Sequence, residues 1–220
     1  MRLERSVIFD LDGTLTDPKL GITRCVQHAM SELGRLAPDA DDLRWCIGPP
    51  IRDTFSRLLE TTDDATLDRA IALYRERFST TGLYENTLYP TIPGVLAELR
   101  GVGYGTFVAT SKLQVFATRI VEHFSLTDMF ENVYGSELDG QRADKGELIA
   151  HLVATEKLKP SAVVMVGDRE HDVIGARKSG IRCIGVTYGY GTEAELTSAG
   201  AVRLVTSPTE LLQSLNSLFD

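Results

Sequence analysis

Apolar positions along this chain keep two different periods, and the change from one to the other divides it. Residues 5–10 form a short apolar run that reads as a strand, and Asp17-Pro18 stops it soon afterwards. Ile22, Val26, Ala29, Met30 and Leu33 then recur at helical spacing, so one face of a helix is apolar. Three more helical segments are predicted near 39–46, 50–60 and 64–80, with Gly48-Pro49-Pro50 as the clearest break and Pro50 as a first helical residue. No strand pattern interrupts that block.

From Thr91 the two periods alternate: helix 93–102, strand 105–110, helix 114–124, strand 132–135, helix 145–156, strand 162–166, helix 171–179, strand 181–186, and a last helix after Ser207-Pro208. Strands alternating with helices predict a parallel sheet covered on both faces. The chain is expected to leave this sheet near residue 17 and to return near residue 89. That gives a core of residues 1–16 and 89–220 and a helical insert of residues 17–88. Thr192-Glu193-Ala194-Glu195 and Ser207-Pro208-Thr209-Glu210 read as capping boxes, and Gly180 fits just past a helix ending at Ser179.

The strand ends carry the chemistry. Phe9-Asp10-Leu11-Asp12-Gly13-Thr14-Leu15 places two carboxylates at i and i+2, on one face of an extended chain, and Gly13 lets the backbone turn away directly afterwards. Taken alone, this is also how an acidic strand end with an Asp-Gly turn looks. Val163-Val164-Met165-Val166 runs into Gly167-Asp168-Arg169-Glu170-His171-Asp172, so a second strand delivers Asp168 and Asp172. Thr106-Phe107-Val108-Ala109 ends in Thr110-Ser111-Lys112. Lys145 opens an amphipathic helix with Leu148, Ile149, Leu152 and Val153, although a lysine at a helix start is usually a solvated group. In open parallel sheets ligands gather at the carboxyl ends of the strands, where Asp10, Asp12, Thr110 and Asp168 all fall.

This set resembles the four motifs of the haloacid dehalogenase superfamily: an Asp-x-Asp pair, a Ser/Thr, a Lys and an acidic pair. The resemblance spans the chain. Leu88-Tyr89-Pro90 with Gly94-Val95, the Thr-Ser-Lys triplet, Gly135-Ser136 and Val186-Thr187-Tyr188-Gly189-Tyr190-Gly191 look like the phosphoglycolate phosphatase-like branch. Within it the chain is most similar to members proposed to cleave nucleoside monophosphates. Ser111 stands where phosphoglycolate phosphatases often carry Asn. The implied fold is α/β: a Rossmann-like doubly wound parallel sheet core with an inserted α-helical cap.

What the resemblance implies about chemistry is specific. Asp10 is the nucleophile that forms an aspartyl-phosphate, and Asp12 is the acid and then the base. Thr110, Ser111 and the backbone N–H groups after Asp10, Gly13 among them, hold the phosphoryl oxygens, and Lys145 balances charge. Mg²⁺ is the cofactor, ligated by Asp10, the Asp12 carbonyl and Asp168, with Asp172 holding its water. Arg52, in the first turn after Gly48-Pro49-Pro50, either reads a substrate anion or points to water. Lys112, Lys19 and Tyr188 are further rim candidates. Asp12 points to phosphate esters, since dehalogenases lack it. Gly167-Asp168 favours phosphatase over sugar phosphomutase, the runner-up. A phosphoacceptor receiver module shares such a cluster but needs no helical insert after its first acidic strand.

Composition narrows the partners. The chain has 220 residues, 43% hydrophobic and 25% charged, as globular domains do. Its formal net charge of −8 opposes nucleic acid and anionic membranes, so an anionic substrate must be drawn by local charge. No apolar run approaches the ~18 residues of a spanning helix. Met1-Arg2-Leu3-Glu4-Arg5 leads into a strand, not a signal sequence, and the chain is expected to be cytoplasmic. Cys25, Cys46 and Cys183 lack metal spacing and read as reduced packing residues. The expected partner is a small phosphorylated metabolite, with no nucleic acid and no membrane, and the chain is expected as a monomer or weak homodimer.

Overall fold

A computed structural model describes residues 4–219 of the protein. The chain divides into two compact units, Met1–Thr16 with Leu88–Asp220, and Asp17–Thr87. No helix among the described residues is long and apolar enough to cross a membrane.

The Asp17–Thr87 unit is helical: α1 is Lys19–Glu32, α2 is Ile51–Leu59 and α3 is Asp64–Arg77, which runs on into a wider turn over Phe78–Gly82. Ile22, Cys25, Val26, Ala29 and Met30 are buried, as their spacing demands. Phe55 meets Tyr74 edge to face and Tyr74 stacks on Phe78, with centroids 6.2 and 5.4 Å apart. A Cβ on Gly21 would lie 2.1 Å from the Gly82 carbonyl oxygen, so glycine sets how closely α1 meets the turn after α3. The helix expected over 39–46 is instead a run of i→i+3 turns ending in a 3₁₀ turn at Arg44–Cys46. Ile47 is extended and Gly48 has φ +103°, so nothing could propagate that segment. Pro50 is not a helical residue: with ψ 139° it caps α2 from outside, its carbonyl accepting from Thr54 N–H.

The other unit is the sheet. Its strands are β1 Arg5–Phe9, β2 Tyr104–Leu113, β3 Asn132–Ser136, β4 Val163–Gly167, β5 Arg182–Val186 and β6 Arg203–Val205. They are all parallel, in the order β3-β2-β1-β4-β5-β6, a Rossmann-like doubly wound sheet. Its helices are α4 Ile92–Gly101, α5 Gln114–His123, α6 Lys145–Thr155, α7 Glu170–Lys178, α8 Glu193–Ala199 and α9 Leu211–Phe219. Ile8, Phe107, Ala109, Tyr134, Val163, Met165 and Cys183 line one side with Leu148, Ile149, Leu152, Val173, Ala176 and Leu196 of α6–α8. By the two-residue period of a strand, Val7, Phe9, Val108, Val164 and Val166 point the other way, and they are equally buried. Strand order reverses about β1, so the crevice beyond the ends of β1 and β4 is where such a sheet binds ligands.

Candidate active site

Asp10 directly follows β1, and its N–H still donates to Val166 O at 2.9 Å, so the ladder itself fixes its position. The chain then turns: Leu15 and Thr16 N–H groups both donate to Leu11 O, and Gly13 has φ +84°. Asp168 follows β4. Asp172 lies in the first turn of α7, where its Oδ2 accepts from Arg169 N–H at 3.1 Å. A Cβ on Gly167 would lie 2.2 Å from Asp172 Cγ, so the residue before Asp168 makes room for that carboxylate.

These strand ends converge. Asp10, Asp168 and Asp172 are buried, and each presents a carboxylate oxygen within 4.8 Å of the other two. Lys145 Nζ lies 2.8 Å from Asp10 Oδ1 and 2.8 Å from Asp172 Oδ1, and it donates to Ala109 O at 3.0 Å. Asp144 accepts from Glu147 N–H at 3.0 Å and so caps α6, which places Lys145 at the first helical position and aims it inward. Asp12 pairs with Lys112 at 2.8 Å, and its Oδ1 is buried without a hydrogen-bond partner. Thr110 is buried, and its Oγ1 accepts from Lys112 N–H at 3.3 Å.

Asp168 is held from both sides. Thr14 Oγ1 donates to its Oδ1 at 3.4 Å and Tyr190 N–H to its Oδ2 at 2.8 Å. A Cβ on Gly189 would lie 2.5 Å from Asp168 Oδ2, and one on Gly191 1.9 Å from its carbonyl oxygen. Tyr188 donates its hydroxyl to Thr14 O at 3.0 Å. Sequence reasoning missed Thr14 and the Tyr190 N–H. The signals were there as the Asp-Gly-Thr turn and the Gly-Tyr-Gly run, but neither names a partner.

Burial and mutual repulsion perturb the acids of the site. Burial, and then the Asp10 and Asp172 carboxylates, push Asp168 well above the usual carboxylate range. Burial raises Asp172 too, against Lys145. Burial raises Asp12, with Lys112 opposing. For Lys145 burial works against the charge, and Asp10 and Asp172 more than offset it, so its pKa is raised. Asp10, Asp168 and Asp172 gather carboxylate oxygens about one point, with Asp12 and the ammonium groups of Lys112 and Lys145 paired to the acids around it. That is a donor set that could hold one hard divalent cation, which Mg²⁺ fits.

Residues 7–186 match the haloacid dehalogenase-like hydrolase family. The chain belongs to that family. A 5′-nucleotidase of Pseudomonas aeruginosa is 46% identical over 212 residues, 96% of each chain. The tyrosine-protein kinase PtkA of Mycobacterium tuberculosis is 39% identical over 95% of this chain and 72% of its own length. The crystal structure of a predicted phosphatase from Clostridium acetobutylicum superposes with TM-score 0.94 at 39% identity, covering 98% of this chain and 99% of that one. This family member is a phosphoric monoester hydrolase.

Not every expected residue joins the cluster. Gly13 N–H donates to Thr16 O at 2.7 Å, so it is already engaged within the turn. What Gly13 supplies is space, since a Cβ there would lie 2.2 Å from Asp168 Oδ2. Ser111 enters through its carbonyl, which accepts from Ser136 Oγ at 2.9 Å. Arg52 belongs to the helical unit, where its guanidinium pairs with Asp64 at 3.0 Å and with Asp68. Lys19 pairs with Asp41 in the same unit. The three cysteines are free and buried.

Proposed function

We propose that this phosphatase is Mg²⁺-dependent, hydrolyses nucleoside 5′-monophosphates or similar small monoesters, and works through an aspartyl-phosphate on Asp10. The observation that carries the mechanism is the bridging of Asp10 and Asp172 by Lys145 beside Asp168. The substrate class is supported by the 46% identity to a 5′-nucleotidase. The helical unit is read as the cap that selects the substrate, and Arg52 would have to exchange Asp64 and Asp68 for any substrate anion.

Asp10 attacks phosphorus, forming a bond between its carboxylate oxygen and phosphorus as the ester P–O bond breaks. The leaving oxygen takes a proton from Asp12, whose raised pKa suits a donor. Water then attacks the aspartyl-phosphate, Asp12 accepts its proton, and phosphate leaves with Asp10 restored. Thr110 would hold a nonbridging oxygen, and Lys145 keeps Asp10 aimed. Mg²⁺, held by Asp10, the Asp12 carbonyl and Asp168 with Asp172 behind them, would supply charge neutralisation for phosphate in this acidic site.

The test is a panel of nucleoside monophosphates, phosphoglycolate and p-nitrophenyl phosphate, ranked by kcat/KM with Mg²⁺ and with excess chelator. Nucleotides should lead, and activity should vanish in chelator. Undiminished activity in chelator overturns the metal assignment. A panel led by phosphoglycolate overturns the substrate class alone.

A further inference from the structure

Lys112 is a second buried cation, separate from the one that bridges Asp10 and Asp172. Its ammonium lies 2.8 Å from Asp12 Oδ2, with 7% and 10% of the two side chains exposed. Asp12 Oδ1 is buried and has no hydrogen-bond partner. One oxygen of this carboxylate is therefore tethered while the other is not.

The tether is built into the sheet. β2 and β3 pair at Ala109↔Tyr134 and resume at Leu113↔Ser136, so the Thr110-Ser111-Lys112 segment sits in a bulge. Bulges re-aim side chains at strand ends. Lys112 N–H donates to Thr110 Oγ1 at 3.3 Å, and Ser136 Oγ donates to Ser111 O at 2.9 Å. A Cβ on Gly135 would lie 2.6 Å from the Lys112 carbonyl oxygen, so the bulge packs against a glycine. Backbone and neighbours together hold Lys112 where it meets Asp12.

We infer that Lys112 is the positioning residue for proton transfer by Asp12: it fixes Oδ2 and leaves Oδ1 as the oxygen that serves the leaving group. The inference rests on the aspartyl-phosphate reading above. As the ester P–O bond breaks, its electron pair takes the proton from Asp12 Oδ1. Asp12 becomes a carboxylate, and the Lys112 ammonium already lies against its other oxygen. Water returns a proton to Oδ1 in the second half of the cycle.

The experiment measures the single-turnover rate of the first step for Lys112→Met and Lys112→Arg, each alone and combined with Asp12→Asn, all with Mg²⁺. The substrates are p-nitrophenyl phosphate, whose leaving group needs little protonation, and an alkyl phosphate, whose leaving group needs it throughout. Lys112→Met should slow the alkyl ester by about 10- to 100-fold and the aryl ester by less than about threefold, since general acid catalysis supplies factors of this order. KM should stay near the wild-type value, Lys112→Arg should recover part of the loss, and Lys112→Met should cost nothing further on top of Asp12→Asn. Equal losses on both esters, seen in KM and persisting in the Asp12→Asn background, would mean that Lys112 holds phosphate and overturn the assignment. If Lys112→Met lacks the native circular dichroism, Lys112→Gln is read by the same criteria. Wild-type protein that hydrolyses neither ester overturns the activity reading, and this one with it.

Discussion

At the scale of single residues, two aspartates two positions apart differ in surroundings enough to differ in task. Asp10 faces Lys145, while Asp12 faces Lys112. Asp10→Asn should abolish turnover of every ester. Asp12→Asn should leave attack on p-nitrophenyl phosphate largely intact and stall the second step, so that a burst of nitrophenol up to one equivalent precedes a slow steady state. The same factor lost on aryl and alkyl esters, without a burst, would make Asp12 a structural residue. Asp168 carries a different prediction. Its folded-state pKa is raised, so in metal-free protein the folded state keeps a proton that the unfolded chain releases. Stability is therefore lost as pH rises above the ordinary carboxylate value of about 4. In thermal melts with chelator, Asp168→Asn should gain on wild type progressively above that pH, and Mg²⁺ should raise the Tm of wild type only. A pH-independent offset would mean that the carboxyl is not perturbed. The residue types at these positions were legible in the sequence because each ends a strand. Lys145 was expected against the nucleophile and is found there; the pairings of Lys112, Thr14 and Tyr190 were not legible, because they reach their partners from distant parts of the chain.

At the scale of elements, strands and helices of the sheet unit were legible wherever apolar period and length agreed, as for β4 between its flanking turns. The three residues of β6 are too few to show a period, and the extra length of β2 is the bulge, which breaks the period that would reveal it. In the helical unit, the acidic stretch 39–46 read as a helix but ends in an extended residue and a left-handed glycine. The element that matters most to the site is α6. Its cap is Asp144, and removal of such a cap costs typically about 1 kcal/mol. Asp144→Ala should lower the Tm accordingly and, because Lys145 starts the helix it caps, should also lower kcat on every ester. The paired outcome to look for is a Tm loss together with a loss of kcat by a similar factor on poor and good leaving groups. A Tm loss with unchanged kcat would show that Lys145 holds its place without the cap.

At the scale of the whole molecule, charge and chain order both have consequences. The site's own acids face two lysines, and the rest of the surface sets the long-range field. With a formal net charge of −8, that field repels a dianionic ester, and salt screens it over about 8–10 Å. At fixed Mg²⁺, kcat/KM should rise on the order of twofold from low to physiological ionic strength, as expected for screened repulsion. A steep fall would reveal a focused positive funnel instead. Chain order acts earlier in the protein's life. β1, which leads directly into Asp10, is the central strand, yet its neighbours β2 and β4 are made long after it. At roughly 5–20 residues per second, synthesis runs for about 8–30 s between β1 and β4. The Asp17–Thr87 unit, contiguous in the chain, is complete well before that. A ribosome-bound chain therefore carries β1, with its apolar Val7, Ile8 and Phe9, unpaired until β2 is made and open on one edge until β4 follows, and on the proposed mechanism a nascent chain should hydrolyse nothing until Asp168 and Asp172 emerge.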